Sequence, residues 1–105
     1  MPSLTPSEVM DLAFERPGLY LGHASVVLLE SYVRGFRTAW MGEGKKDDLY
    51  DGFAQWVNDR RETRGQYPWS SIATIVGQSE ARAFEVAKDW WSLYKNENAS
   101  STAGR

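Results

Sequence analysis

The stretch SVVLLESYVRGFRTAWM at residues 25–41 decides the fold class of this chain. Four large apolar residues recur in it at spacings of four, three and four, as on one face of a helix: Leu29, Val33, Phe36 and Trp40. Ser25 stands before the first turn, where a hydroxyl can accept a hydrogen bond from a free backbone N–H. The stretch therefore predicts an amphipathic helix of about 17 residues. Gly35 costs this helix up to about 1 kcal/mol relative to alanine, so we expect another element to approach closely there.

Capping residues predict where two neighbouring helices begin. Thr5-Pro6-Ser7-Glu8 has the pattern of a capping box and predicts a helix over residues 6–15. Further along, Asp47 or Asp48 is expected to cap a third helix that ends near Thr63. The polar residues of this third helix are assigned to its solvent-facing side: Asp51, Gln55, Asn58, Asp59 and Arg60.

The last third of the chain adds a short helix, a long helix and a polar tail. Ile72–Val76 contains β-branched residues and permits a strand, but a single strand has nothing to pair with, so we predict a short helix. Ser79-Glu80 begins the last main helix, and residues 96–105, NENASSTAGR, are expected to form a flexible polar tail. The chain is thus predicted to be all-α, with one domain over residues 1–95 that folds as a compact bundle of four main helices plus a short helix.

The segment RPGLYLG at residues 16–22 interrupts the helical pattern. Pro17 disfavours helical geometry at Arg16, and two glycines bracket an apolar Leu-Tyr-Leu. We therefore predict a rigid loop or short extended piece, which packs against the bundle with Tyr20 and Leu21 inserted.

Composition excludes several classes of function. The chain has 105 residues, of which 42% are hydrophobic and 25% charged, as in an ordinary globular domain. It contains no cysteine, which excludes disulfides, thiolate metal sites and cysteine nucleophiles, and its single histidine, His23, excludes a site with two imidazoles. The net charge of -2 provides no positive field that would attract nucleic acid or an anionic membrane. No apolar run approaches the roughly twenty residues of a bilayer span, and no signal peptide is visible, so we expect a cytoplasmic protein.

The reactive side chains do not form a recognisable catalytic or metal-binding pattern. His23 follows a glycine in a loop, where it could serve as a base but is more simply explained as a solvated residue. The densest acidic cluster, Asp47, Asp48 and Asp51, lacks the alternating ligands of a calcium loop and is better explained by helix capping. We therefore predict no enzymatic activity, no cofactor and no metal, with an enzyme centred on His23 as one alternative.

Aromatic content is the unusual feature, since the chain has five tryptophans and five tyrosines. The tryptophans at helical spacing are assigned to the core: Trp40, Trp56 and Trp91. Two other tryptophans and a loop tyrosine are harder to bury together, and Trp and Tyr are common anchors of protein interfaces. With the acids expected to be exposed, they make up the predicted partner-binding residues: Glu43, Asp47, Asp48, Asp51, Tyr67, Trp69 and Trp90.

Basic residues support a second alternative, a small regulatory or nucleic-acid-associated helical protein. The arginines that would serve it lie on the 25–41 helix and after the third helix: Arg34, Arg37, Arg60 and Arg61. Asp59 and Glu62 interrupt the second group, and interleaved charges are typical of a solvated, ion-paired face. Nucleic acid is therefore not the expected partner.

Several of these residues occur in an order that resembles a known family. The segment R-P-G-x-Y-L-G at 16–22 is followed by Ser25, Leu29, Tyr32, Gly35-Phe36, Phe53, Trp56-Val57, Arg60, Trp69 and Ile72. This order resembles a family of small bacterial proteins with an RPGMYLG loop, an S-x-x-x-L helix ending in G-[FY], and later F-x-x-W and W-x-x-I pairs. The resemblance spans residues 16–94, and Leu19 stands where the family more often has methionine. Some members lie beside secreted polymorphic toxins and are regarded as immunity proteins.

The resemblance implies a non-enzymatic protein-binding module, most simply an immunity protein that neutralises a cognate bacterial toxin by occluding its active site or substrate groove. The acidic balance of the chain suits a basic target such as a nuclease, because opposite charges speed capture. We therefore expect the partner to be a toxin protein, with neither a membrane nor nucleic acid involved.

Overall fold

The computed structural model of the chain describes residues 4–103, with the side chains of residues 4–99. Helices occupy most of this range, in the order α1 (Pro6–Glu15), α2 (Pro17–Tyr20), α3 (Val26–Gly42), α4 (Asp48–Arg60), α5 (Trp69–Gly77) and α6 (Glu80–Ala103). No strand occurs between residues 4 and 103, so the predicted all-α fold is confirmed, and Ile72–Val76 is helical. Within the same residues, no helix combines the length and the apolar character that a membrane crossing requires.

Side-chain caps begin three of the helices as the sequence predicts. Thr5 Oγ1 accepts a hydrogen bond from Glu8 N at 3.1 Å, and Glu8 Oε1 accepts one from Thr5 N at 2.8 Å, so the capping box is complete. Ser25 accepts a hydrogen bond from the first turn of α3. Asp47, rather than Asp48, caps α4. Each cap satisfies a backbone N–H that has no partner within its own helix.

The segment at residues 16–22 contains a helical turn rather than a rigid loop or extended piece. Pro17–Tyr20 forms α2, because proline at a first helical position already has a helical φ and Arg16 takes the non-helical bend before it. Tyr20 and Leu21 are half-buried against the core, as expected. Leu19, between them and the proline, is 68% exposed.

Helices α4 and α5 differ from their predicted bounds. Helix α4 ends at Arg60 instead of near Thr63, because Glu62 adopts a left-handed backbone conformation with φ 53°. Thr63 then turns back and donates a hydrogen bond to Asn58. Helix α5 begins at Trp69, so this residue belongs to the helix and not to the loop before it.

Helix α6 continues past residue 96, where the sequence predicts a flexible tail, and reaches Ala103. Contacts with α4 hold the start of this extension: Glu97 Oε1 accepts a hydrogen bond from Trp56 Nε1 at 3.0 Å, and Glu97 Oε2 lies 3.8 Å from Arg60 Nη1. Polar composition alone did not reveal these contacts between distant residues. Residues 104–105 of the predicted tail and residues 1–3 of the predicted domain lie outside the described residues.

Phe53 of α4 lies at the centre of the core. Its ring centroid is 5.1 Å from that of Trp91 and 5.4 Å from those of Trp69 and Tyr94. Such pairs add about 0.5–1.5 kcal/mol each beyond the burial of their area. Of the three tryptophans assigned to the core, Trp91 is fully buried, Trp56 is half-buried against the core, and Trp40 is half-buried outside the core cluster.

Helix α6 supplies one wall of the core and joins it to α1. Its buried residues are Ala83, Phe84, Ala87, Trp91 and Tyr94. The ring of Phe14 in α1 lies 5.2 Å from that of Phe84, and Asp11 Oδ1 accepts a hydrogen bond from Trp91 Nε1 at 2.8 Å. The first and last helices are therefore in direct contact across the bundle.

Gly35 is not approached by another element, so the prediction of a close approach there is wrong. A Cβ atom built at this position has no neighbouring heavy atom within 4 Å. Gly35→Ala should therefore raise the free energy of unfolding by about 0.5–1 kcal/mol, because alanine favours the helix and restricts the unfolded chain. Urea denaturation measures the change, and an unaltered or lower stability would contradict the open surroundings of this glycine.

The close approach occurs instead at Gly77, where α5 meets α6. A Cβ atom there would lie 2.5 Å from Ala83 N and 2.7 Å from Ala83 Cα, which are backbone atoms that cannot move aside alone. Gly77→Ala should lower the free energy of unfolding by about 1–3 kcal/mol, as overpacking does in other cores. The same urea assay, applied to both variants, tests whether the free energy of unfolding rises in Gly35→Ala and falls in Gly77→Ala. If Gly77→Ala keeps the free energy of unfolding of the wild type, α5 and α6 can move apart at no cost in free energy.

Candidate docking surface and polar pocket

Asp47, which the sequence predicts as an exposed contact residue, is half-buried and holds two helices together. Its carboxylate accepts hydrogen bonds from Ser7 N at 2.7 Å and from Ser7 Oγ at 2.9 Å. The same carboxylate caps α4 through Tyr50 N at 3.1 Å. Asp47 therefore ties the start of α1 to the start of α4, and its oxygens are occupied within the chain.

Two of the other three predicted acids are also engaged. Asp51 Oδ1 lies 2.6 Å from Arg37 Nε, and Glu43 Oε1 lies 3.2 Å from Lys45 Nζ. Asp48 is exposed in the first turn of α4, where its charge favours the helix start. The four acids thus do not form a free anionic surface.

The predicted aromatic anchors do not share one surface. Trp69 is 2% exposed, so it presents almost no surface to a partner, contrary to the prediction. The reason is that Trp69 opens α5 with its ring packed on Phe53, whereas the sequence placed it in a loop. Trp90 is half-buried against the core, and Tyr67 is 52% exposed. Of these three aromatic residues, Tyr67 presents the most exposed side chain to a partner.

A polar pocket of about 220 Å³ opens between α3, α4 and α5. It is lined by Glu30, Arg34, Arg37, Tyr50, Asp51, Ala54 and Trp69. It therefore brings two predicted site residues together with two arginines of the nucleic-acid alternative. Each charge in it has an opposite neighbour: Arg37 pairs with Asp51, and Arg34 Nη2 lies 3.7 Å from Glu30 Oε1. Two arginines and two carboxylates sum to zero, so the polar pocket has no excess of either sign.

Tyr50 and Arg37 keep their ordinary charge states in this pocket at neutral pH. Burial raises the pKa of Tyr50, and the N–H of Trp69 opposes that rise only in part. The Trp69 N–H forms no regular hydrogen bond with the described residues. The hydrogen bond from Arg37 to Asp51 raises the pKa of the guanidinium. Tyr50 is therefore a neutral phenol and Arg37 a cation, and neither can take up a proton as a general base.

The most exposed large apolar side chains of the helices include several around α5. Ile75 is 76% exposed on its outer side, and Val27, at the start of α3, is 60% exposed. We define the α5 face as the surface formed by Val27, Leu28, Tyr67, Ile75 and Val76. Several exposed large apolar side chains around one helix are typical of an interaction site.

Two grooves flank the outer side of α5. The tyrosine groove has a volume of about 260 Å³ and is lined by Arg61, Thr63, Tyr67, Ser71, Ile72, Ile75 and Val76. The histidine groove has a volume of about 540 Å³ and is lined by His23, Ser25, Val26, Val27, Leu28, Thr74, Gln78, Ser79 and Glu80. The outer side of α5 is therefore a ridge between two depressions that can accept side chains of a partner.

His23 borders the histidine groove as half of an exposed ion pair. Its Nε2 lies 2.7 Å from Glu80 Oε1, and more than half of each side chain is exposed. The pair joins the segment before α3 to the first turn of α6. This exposure to water does not favour the alternative of an enzyme centred on His23.

Asn58 holds the segment that forms the tyrosine groove. The prediction that Asn58 lies on the solvent-facing side of α4 is wrong. It is 2% exposed. Its Nδ2 donates to Ala54 O at 2.8 Å and to Tyr67 O at 2.9 Å, while its Oδ1 accepts from Tyr67 N at 3.1 Å and from Thr63 Oγ1 at 2.6 Å. These bonds hold the segment between α4 and α5 against α4. The one hint in the sequence is that asparagine is a poor helix former that bonds nearby backbone groups.

No protein-family model, curated protein or solved structure matches the chain. The family resemblance of the RPGLYLG segment therefore stays a prediction. The function has to be inferred from the geometry of the α5 face and of the polar pocket.

Proposed function

We propose that the protein is a non-enzymatic binding module that acts in the bacterial cytoplasm as an immunity protein and neutralises a cognate toxin by occluding its active site. The exposed α5 face is the observation that supports this proposal. Ile75 leaves 76% of its surface in water, although burying such a side chain contributes about 1.5–3 kcal/mol. A protein partner that covers the α5 face would recover this free energy.

The α5 face is also held in place before any partner arrives. Asn58 fixes the backbone of Tyr67, and Gly77 brings α5 against α6. A surface on packed helices loses little conformational freedom when it binds, so more of the contact energy appears as affinity. Tyr67 adds an exposed aromatic ring at the edge of the same surface, as interface anchors commonly do.

Charge gives less support to a nuclease target than the sequence suggested. The carboxylates of Glu43, Asp47 and Asp51 already contact groups within the chain. Their pairing weakens the anionic field that would attract a basic toxin. The proposed contact is therefore the apolar α5 face, and the acids of the α3–α4 connection are not part of it.

The arginines of the nucleic-acid alternative do not line up on one surface. Arg34 and Arg37 lie in the polar pocket beside carboxylates, whereas Arg60 lies near Glu97 on the far side of α4. Phosphate binding depends on several unpaired cations along one track. Of the four arginines, Arg61 is the one without an ion pair within residues 4–99, and a single cation does not make such a track.

Protection of cells tests the proposal. Cells that produce the toxin encoded beside this gene should survive when the wild-type chain is co-expressed and should die with Ile75→Asp, because binding would bury an unpaired carboxylate. Calorimetry on the purified pair should show an affinity reduced by roughly thirtyfold, which corresponds to about 2 kcal/mol for an interface hot spot.

Leu19→Asp is the matched control, because Leu19 is 68% exposed and lines neither groove. This variant should protect as well as the wild type, and circular dichroism should show both variants folded. Full protection by Ile75→Asp would remove the α5 face from the contact. A wild-type chain that protects against no neighbouring toxin would show the proposed function to be wrong.

A further inference from the structure

The two sides of the α5 face differ in free charge. In the histidine groove the Glu80 carboxylate already has a partner, since its Oε1 lies 2.7 Å from His23 Nε2. In the tyrosine groove the one charged lining residue is Arg61, whose side chain has no ion pair or hydrogen bond with residues 4–99. An unpaired cation therefore borders the apolar surface, although the chain as a whole has a net charge of -2.

Arg64 is a second unpaired cation, three residues after Arg61 in the sequence. It is exposed in the same segment between α4 and α5, and its side chain also lacks an ion pair within residues 4–99. Glu62 lies between the two arginines in sequence, and, like Arg64, it does not line the groove. The segment thus carries two arginines and one glutamate that have no ion pair within residues 4–99.

We propose that the tyrosine groove binds an amphipathic helix of a partner protein, whose apolar residues cover Ile75 and Val76 and whose flank carries aspartate or glutamate opposite Arg61 and Arg64. This inference deepens the proposed function, on which it rests for the identification of the partner as a toxin. It assigns the partner's docking segment an acidic character, opposite to that expected from the acidic balance of the chain.

A helix is the form of segment that the groove fits. Residues 4–103 contain no strand, so they present no sheet edge to which an extended peptide could add. The nine residues of α5 span about 13 Å, which matches two turns of a helix lying alongside it. Apolar side chains spaced three and four residues apart on such a helix would enter the groove on either side of Ile75.

Charge decides between possible occupants. A basic flank would place like charges beside Arg61, which opposes binding. A second copy of this chain would bring its own Arg61 and Arg64 on either side of Glu62, and its Glu80 is already in contact with His23. An acidic partner supplies carboxylates without adding arginines beside them.

Two synthetic peptides test the proposal without the toxin. Both are amphipathic helices with the same leucine face, one flanked by glutamate and the other by lysine, each labelled with fluorescein. At low salt the glutamate peptide should bind at least tenfold more tightly in an anisotropy titration, although the net charge of the protein favours the lysine peptide. The difference should shrink with added salt, since the screening length falls from about 30 Å at 0.01 M to about 10 Å at 0.1 M.

Variants show which residues determine the peptide preference. Arg61→Glu combined with Arg64→Glu should make the lysine peptide the tighter ligand, and Ile75→Asp should abolish binding of both peptides. Lys46→Glu is the control, because Lys46 is exposed and lines neither groove, and it should behave as the wild type. Equal affinities, a preference for lysine, or no binding would overturn the proposal. A wild-type dimer in sedimentation equilibrium that Ile75→Asp dissociates would also overturn it, because a second copy would then cover the face.

The outcomes separate this inference from the proposed function. If the glutamate peptide is preferred but the chain protects against no toxin, the acidic docking segment stands and the immunity role is wrong. If Ile75→Asp loses protection while the Arg61→Glu and Arg64→Glu double variant keeps it, the immunity role stands and the acidic segment is wrong.

Discussion

Trp69→Ala should lower the free energy of unfolding by about 3–5 kcal/mol, the usual cost of removing a buried tryptophan. The indole is 2% exposed, and its ring centroid lies 5.4 Å from that of Phe53, so truncation leaves a cavity between α4 and the start of α5. The polar pocket, which Trp69 also lines, would extend into this cavity. Urea denaturation followed by far-ultraviolet circular dichroism measures the loss.

Tyr67→Ala is the control for this effect, because Tyr67 is aromatic, close in sequence and 52% exposed. Its stability should change by less than about 1 kcal/mol, as for most surface substitutions, while its affinity for the partner falls. A Trp69→Ala variant that keeps wild-type stability and loses only binding would reinstate Trp69 as the surface anchor that the sequence predicts.

Asn58→Ala should lower the free energy of unfolding by about 2–4 kcal/mol, because each buried polar group left without its partner costs about 1–3 kcal/mol. The substitution removes the donor to Tyr67 O and the acceptor from Tyr67 N and Thr63 Oγ1. The segment that carries Tyr67 would then be held to α4 by the bonds from Thr63 to the Asn58 backbone carbonyl and no longer through Tyr67. Faster amide hydrogen exchange at Tyr67, measured together with urea denaturation, should report both effects.

Gln55→Ala serves as the comparison for Asn58→Ala. Gln55 is an exposed amide on the same helix, and its Nε2 donates to Asp59 at 2.6 Å on the surface. Its loss should change stability by less than about 0.5 kcal/mol. Equal effects of the two substitutions would mean that the buried bonds of Asn58 contribute no more than a surface contact.

The helix starts could be predicted from the sequence because caps act locally. Thr5, Ser25 and Asp47 each bond a backbone N–H within the next turn, so the few residues around each one contain the information. The apolar spacing of residues 25–41 likewise depends on neighbours along one helix. The all-α fold follows from such local signals.

Contacts between distant residues could not be predicted in the same way. The bond of Asp47 to Ser7 and that of Trp56 to Glu97 join residues about forty positions apart, and no local pattern announces either. The two glycines illustrate the same limit, since Gly35 and Gly77 both lie within helices. Gly77 cannot be replaced without strain because α6 packs closely on it, and the sequence around it does not show this contact.

The candidate docking surface was mostly missed for a related reason. Of the predicted partner-binding residues, Tyr67 is the one on the α5 face. Ile75 belongs to α5, which is buried on one side and exposed on the other. Because both sides of α5 carry apolar residues, its sequence does not show which side faces water. Which side of α5 faces water is set by α4 and α6, whose positions are not encoded in those nine residues.

The contribution of α6 to the core has a consequence during synthesis on the ribosome. Until α6 has been translated, Phe14 lacks the ring of Phe84, and Phe53 lacks those of Trp91 and Tyr94. A nascent chain that has been translated as far as Gly77 therefore exposes aromatic side chains of its earlier helices to water. Such intermediates are prone to aggregate, so the delay before α6 emerges is the interval in which a chaperone would bind this chain.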